Sequence, residues 1–149
     1  MDIGVAALIS WLLTAAFGGV LVLLWTARSG SRPLRGGRRA TYGRPPPYIP
    51  RSLVVAHVAL AMGGLAAWTA ALFAAQEGLA YVAVGALLAV ALLGASMFVR
   101  WLGSRRARRS ARAMSGAPAE SRLPTMVVLG HGVLGMATVV LVLLSWFHG

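Results

Sequence analysis

A chain of 149 residues with a 58% hydrophobic fraction, 11% charged residues and a mean hydropathy of +0.76 is too apolar for a soluble domain of this length. Its formal net charge of +11 comes from 14 basic residues, all arginine, against Asp2, Glu77 and Glu120. The absence of cysteine excludes disulfides, thiolate catalysis and iron–sulfur clusters.

Four apolar runs, at 3–25, 50–74, 79–101 and 124–147, each exceed the ~20 residues of helix that cross a hydrocarbon core of about 30 Å. Their leucines and alanines follow no alternating polar pattern, which predicts helices and excludes a transmembrane barrel. The expected fold class is all-α: one polytopic domain over 1–149, with four transmembrane helices in an up-down-up-down bundle. The first run follows an acidic leader, Met1-Asp2, and is too long for a signal h-region, so it is expected to be retained.

The first basic loop, about 27–49, ends in the stiff stretch Arg44-Pro45-Pro46-Pro47-Tyr48. The second run carries His57, and a short turn around Gln76-Glu77-Gly78 leads into the third. In the second basic loop, about 102–123, Arg105-Arg106-Ala107-Arg108-Arg109 is expected to prolong the third helix as a basic stub. The fourth run carries His131. Seven arginines fall between positions 28 and 51 and seven between 100 and 122, with none near either terminus or in the short turn. The positive-inside rule then predicts a plasma-membrane protein with both loops cytoplasmic and both termini outside. Trp25, Tyr48 and Trp101 are expected to mark the inner interface, and Tyr81 and Trp146 the outer one. The arginine loops set topology and could also bind anionic lipid headgroups; they lack the surface and aromatic interleaving needed for nucleic acid.

The second and fourth runs repeat one pattern at an offset of 74 residues: Pro50/Pro124, Val54/Val128, His57/His131, Leu60/Leu134 and Met62/Met136 are identical. Two spans per repeat (1–74 and 75–149) give both repeats the same orientation, related by an axis along the membrane normal. The first and third spans correspond less clearly. An intramembrane ionisable side chain is expensive and reads by default as a functional site. The second and fourth helices should lie on a diagonal about 12–14 Å apart, too wide for direct imidazole contact but suited to a metal between the rings. Haem b with His57 and His131 as axial ligands is the expected cofactor, and Met97 is a candidate alternate ligand. Room for its ring is expected from Ala56, Ala61, Gly63, Gly64, Gly130, Gly132 and Gly135, and its propionates are expected to pair with Arg51, Arg100 and Arg122.

Copper is disfavoured, because Met62 and Met136 stand ~140° around the helix from the histidines, and zinc lacks carboxylate or cysteine ligands in the spans. The acidic residues all lie outside the runs, which disfavours a carboxylate relay for protons or cations. His148 has no partner at its end of the chain. The alternative to haem is a pair of histidines that hydrogen-bond between helices.

Gly94-Ala95-Ser96-Met97-Phe98-Val99-Arg100-Trp101 and Val128-Leu129-Gly130-His131-Gly132-Val133-Leu134 resemble segments of small four-span membrane proteins of high-GC actinobacteria. The resemblance covers nearly the whole chain, implies that topology, and implies no function. Two functions follow as expectations. One is a cytochrome-like electron-transport protein passing electrons between a quinone pool and a partner redox subunit. The other is a non-catalytic accessory subunit of a larger, respiratory-type membrane complex. No hydrolytic or transferase constellation is present.

Overall fold

The computed structural model describes residues 2–30, 49–74, 76–110 and 123–147. They form four helices, α1 (Ile3–Gly30), α2 (Arg51–Ala74), α3 (Glu77–Ser110) and α4 (Thr125–Phe147), matching the four apolar runs. Each is long and apolar enough to cross a membrane. The protein is an all-α four-helix bundle of multi-pass membrane type.

The helix starts follow from local chemistry. The Asp2 carboxylate accepts a hydrogen bond from the Gly4 N–H at 2.8 Å, the usual capping of an orphan first-turn donor. Pro50 and Pro124 stand just ahead of α2 and α4, and their carbonyls accept from Val54 N–H and Val128 N–H. Glu77 sets a negative charge against the positive end of α3. That helix runs on through the 105–109 cluster, so the basic stub is helical as far as Ser110.

Helices α1 and α4 pack extensively, as do α2 and α3, while the α1/α2 and α3/α4 seams are slight. Each large interface therefore joins one repeat to the other. The two large interfaces match in extent, as do the two seams, which is the pairing a pseudo-two-fold axis demands. Helices α2 and α4 lie on a diagonal, as expected.

The core is built in two plugs. Near the short turn, Ala7, Trp11, Leu65, Trp68, Ala83, Leu87 and Val142 form one buried cluster. Gly64 lets α2 close on α3 there: a Cβ in its place would stand 3.0 Å from Ala86 Cβ and 3.1 Å from the Trp11 ring. Trp68 ties this end together by donating its indole N–H to the Gly4 carbonyl at 3.2 Å. At the arginine-rich end, Ile49, Val54 and Trp101 are buried, with Val22, Trp25, Met97, Leu123 and Val128 packed around them. Tyr81 and Trp146 meet edge to face at the turn end. Trp25 and Trp101 lie at the expected end but not as lipid-facing markers. Trp101 is 3% exposed, and Trp25 packs into the same cluster. Tyr48 is outside the described residues.

Candidate functional site

Between the two plugs the helices carry no fully buried residue, over 12–27, 55–63, 88–100 and 125–137. Into this layer project His57 from α2 and His131 from α4, with ring centroids 6.2 Å apart and planes at 64°. The expectation that the pair stands too far apart for contact is thus corrected. A separation of about 12–14 Å applies to the axes of diagonal helices, and both imidazoles extend inward from them.

Each ring leans on the helix beside its own. His131 Nδ1 lies 3.0 Å from the Thr14 carbonyl of α1 and donates to it in the Nδ1–H tautomer. One turn further along α1, a Cβ on Gly18 would come within 3.0 Å of His131 Cε1. His57 repeats the arrangement on α3. The Val90 backbone carbonyl interacts with its ring, and a Cβ on Gly94 would stand 3.2 Å from its Cε1. The His57 contact is less complete, because its Nδ1 is buried without a partner in hydrogen-bonding geometry.

The α1/α4 side alone carries a hydroxyl network. Ser10 Oγ and Thr138 Oγ1 are 2.9 Å apart, and Thr14 Oγ1 is 3.2 Å from Thr138. Thr14 and Thr138 also donate to the Ser10 and Leu134 carbonyls. With those two protons spent on carbonyls, Ser10 donates to Thr138, and that bond ties α1 to α4 two turns along α4 from His131.

The small residues expected to make room for a flat ring do other work. Gly64 serves the turn-end plug, a Cβ on Gly130 would stand 3.1 Å from the Phe17 ring, and one on Gly135 would stand 3.7 Å from Thr14. Gly63 and Gly132 touch nothing, and Ala56 is exposed. The reason is rotation. A residue next to histidine in sequence stands about 100° away around the helix and faces another neighbour. The glycines that matter, Gly18 and Gly94, lie on α1 and α3. They are 76 residues apart, as are Thr14 and Val90, and at that offset Ala7/Ala83, Leu12/Leu88, Ala15/Ala91 and Trp25/Trp101 are also identical. The stretch from Trp101 to Pro124 is two residues shorter than that from Trp25 to Pro50, so this match does not appear at an offset of 74.

Other candidate residues are dispersed. Arg51 and Arg100 are exposed at the arginine-rich end. Arg51 borders a groove of about 610 Å³ between α1 and α2, with walls from Val22, Trp25, Val54, Val55 and Val58. Met97 packs against the arginine-end plug. Arg122 and His148 lie outside the described residues. Met62 and Met136 are exposed, as their rotation from the histidines requires.

The spacing of the two imidazoles fits one metal held between them. Two imidazole nitrogens each about 2.0–2.1 Å from one metal bring their ring centroids to roughly 6 Å, the size of the observed separation. For His131, the Thr14 carbonyl accepting from Nδ1–H selects the tautomer that leaves Nε2 as a ligand, the usual support of a metal-bound histidine. Among the described residues no three His, Cys, Asp or Glu side chains gather to hold a bare ion. A two-ligand site suits a group that brings its own equatorial donors.

Searches of protein-family models, curated proteins and solved structures found no match for this chain. The site is therefore read from its own geometry.

Proposed function

We propose that this protein is a b-type cytochrome-like electron-transfer protein of the plasma membrane, holding one haem b between His57 and His131. The observation that supports it is the matched support of the two imidazoles. They stand 6.2 Å apart on diagonal helices, each against a glycine of the adjacent helix, with His131 also bonded to the Thr14 carbonyl, between two apolar plugs. Haem supplies reversible one-electron chemistry when bound. His57 and His131 would hold the haem iron, the Thr14 carbonyl would orient His131, and the plugs would keep water out along the bundle axis. A membrane quinone and a partner redox subunit are the electron donor and acceptor.

The test is an absorption spectrum of the protein purified after growth with ample haem. Sharp low-spin bands on reduction are expected, and colourless protein overturns the reading.

The reading places the arginine-rich end in the cytoplasm, with Arg51 at the mouth of its groove meeting anionic headgroups. Reporter fusions at Gly78 and Gly149 are expected to behave as external and one at Gly37 as cytoplasmic. A cytoplasmic reporter at Gly149 inverts the scheme.

One observation favours the accessory-subunit reading. Gly19, Gly63, Gly85 and Gly132 are exposed, and a Cβ at each would meet nothing. Small residues on lipid-facing helices permit close approach of another helix. Co-purification of a larger complex that is lost on Gly→Leu substitution at these positions, with no haem present, supports that reading over the cytochrome.

A further inference from the structure

Two indole N–H groups in the arginine-end plug, those of Trp25 and Trp101, are buried with no hydrogen-bond partner among the described residues. An unpaired buried donor is costly, and phenylalanine in the same place would avoid that cost. The defect occurs twice, at positions related by the same 76-residue offset as the two glycines beneath the histidines.

Their placement relates them to the histidine layer. Trp25 follows Gly18 by seven residues, and Trp101 follows Gly94 by seven. Seven residues are about 20° short of two turns, so each tryptophan shares the face of its glycine, about 10 Å nearer the arginine-rich end. Helical side chains lean toward the N-terminus of their own helix, which for both α1 and α3 is back toward the histidines. The two donors therefore lie on the histidine side of their helices' last turns, and no carboxylate of the described chain is available to them. Positive charge lies close by: the Arg105 guanidinium sits 4.9 Å above the Trp101 ring.

We propose that Trp25 and Trp101 are the carboxylate-binding residues of this site, donating their indole N–H groups to the two propionates of a haem held between His57 and His131. The proposal rests on the haem reading and replaces exposed arginines with buried neutral donors as the direct partners. Neutral N–H groups donate to a carboxylate at depth without burying a second charge, whose desolvation is expensive. Hydrogen bonds to a charged acceptor are also the strong ones.

The experiment titrates full-length protein, stripped of haem in detergent, with haem and with haem dimethyl ester, following absorbance. Wild type is compared with Trp25→Phe, Trp101→Phe and the double variant. Each substitution is expected to weaken haem about tenfold or more and to leave the ester unchanged, so the preference for free carboxylates collapses in the double variant. Equal weakening of both porphyrins, or of neither, overturns the assignment and leaves the haem reading standing. If wild type binds neither porphyrin, the haem reading fails first and this proposal with it. Should the phenylalanine variants not fold, ultraviolet resonance Raman of wild type reads indole hydrogen bonding directly. The indole band is expected to shift with haem relative to the ester, and an unchanged band overturns the proposal.

Discussion

Replacing either His57 or His131 with alanine is expected to abolish the low-spin haem spectrum or convert it to high spin, and His148→Ala is expected to leave it intact. Each single variant would leave the iron with one imidazole, and the described residues around the pair offer no other histidine. Met97, the one soft donor at comparable depth, is packed among Trp101 and Val54 in the arginine-end plug. Exogenous imidazole is expected to restore low-spin bands, because truncation to alanine vacates the space that the ring filled. The two variants should differ in the stability of the haem-free protein. His131 completes a hydrogen bond to Thr14 beside the hydroxyl network, so its loss removes an interhelical bond of about 0.6–1.7 kcal/mol in a membrane. His57 buries an unsatisfied Nδ1, so its removal should cost less. Thermal unfolding of the haem-free variants measures the difference. Low-spin bands retained in either single variant place the iron elsewhere.

Composition alone carries the fold. Four apolar runs separated by two arginine loops and one short turn leave little choice but a four-helix bundle, and the structure is one. The diagonal placement of His57 and His131 was also legible, since a 74-residue repeat with two spans per unit puts α2 and α4 on opposite corners. The support around the histidines was harder to read. Within apolar helices a glycine that packs against a ring looks like a glycine that faces lipid, and adjacency in sequence misleads because neighbours on a helix face different partners. Gly130 and Gly132 flank His131 in the chain, yet one holds Phe17 and the other touches nothing. The residues that meet the rings lie on α1 and α3, whose repeat runs at 76 rather than 74. Aligning the spans one at a time would have brought out Gly18/Gly94 and Trp25/Trp101 together. What no alignment supplies is burial. Trp101 reads as an interface anchor from its place beside the arginines, and only packing shows it turned inward with its N–H unmet.

Gly18→Val is expected to impair the site far more than Gly19→Val, though the two glycines are consecutive and the substitutions identical. A Cβ at position 18 would meet His131 Cε1 at 3.0 Å and Nδ1 at 3.5 Å, whereas one at position 19 meets nothing within 4 Å. Valine adds two methyl groups beyond that Cβ, so His131 must swing off the Thr14 carbonyl or α1 must move away from α4. Extra methylenes forced into a packed contact cost about 1–3 kcal/mol, which as a binding effect is roughly five- to 150-fold in haem affinity. Gly94→Val should do the same to His57 more mildly, since the nearest approach there is 3.2 Å and no completed hydrogen bond has to break. Gly132→Val is the sharper control, because it alters the residue next to His131 in the chain while facing open space. Haem titration of the four variants, with circular dichroism to establish that each is folded, checks the ordering: position 18 worst, then 94, with 19 and 132 near wild type. An effect at 132 equal to that at 18 would mean that His131 is held by its own helix rather than by α1. The carbonyl-and-glycine support, and with it the argument for a pre-arranged ligand pair, would then fail.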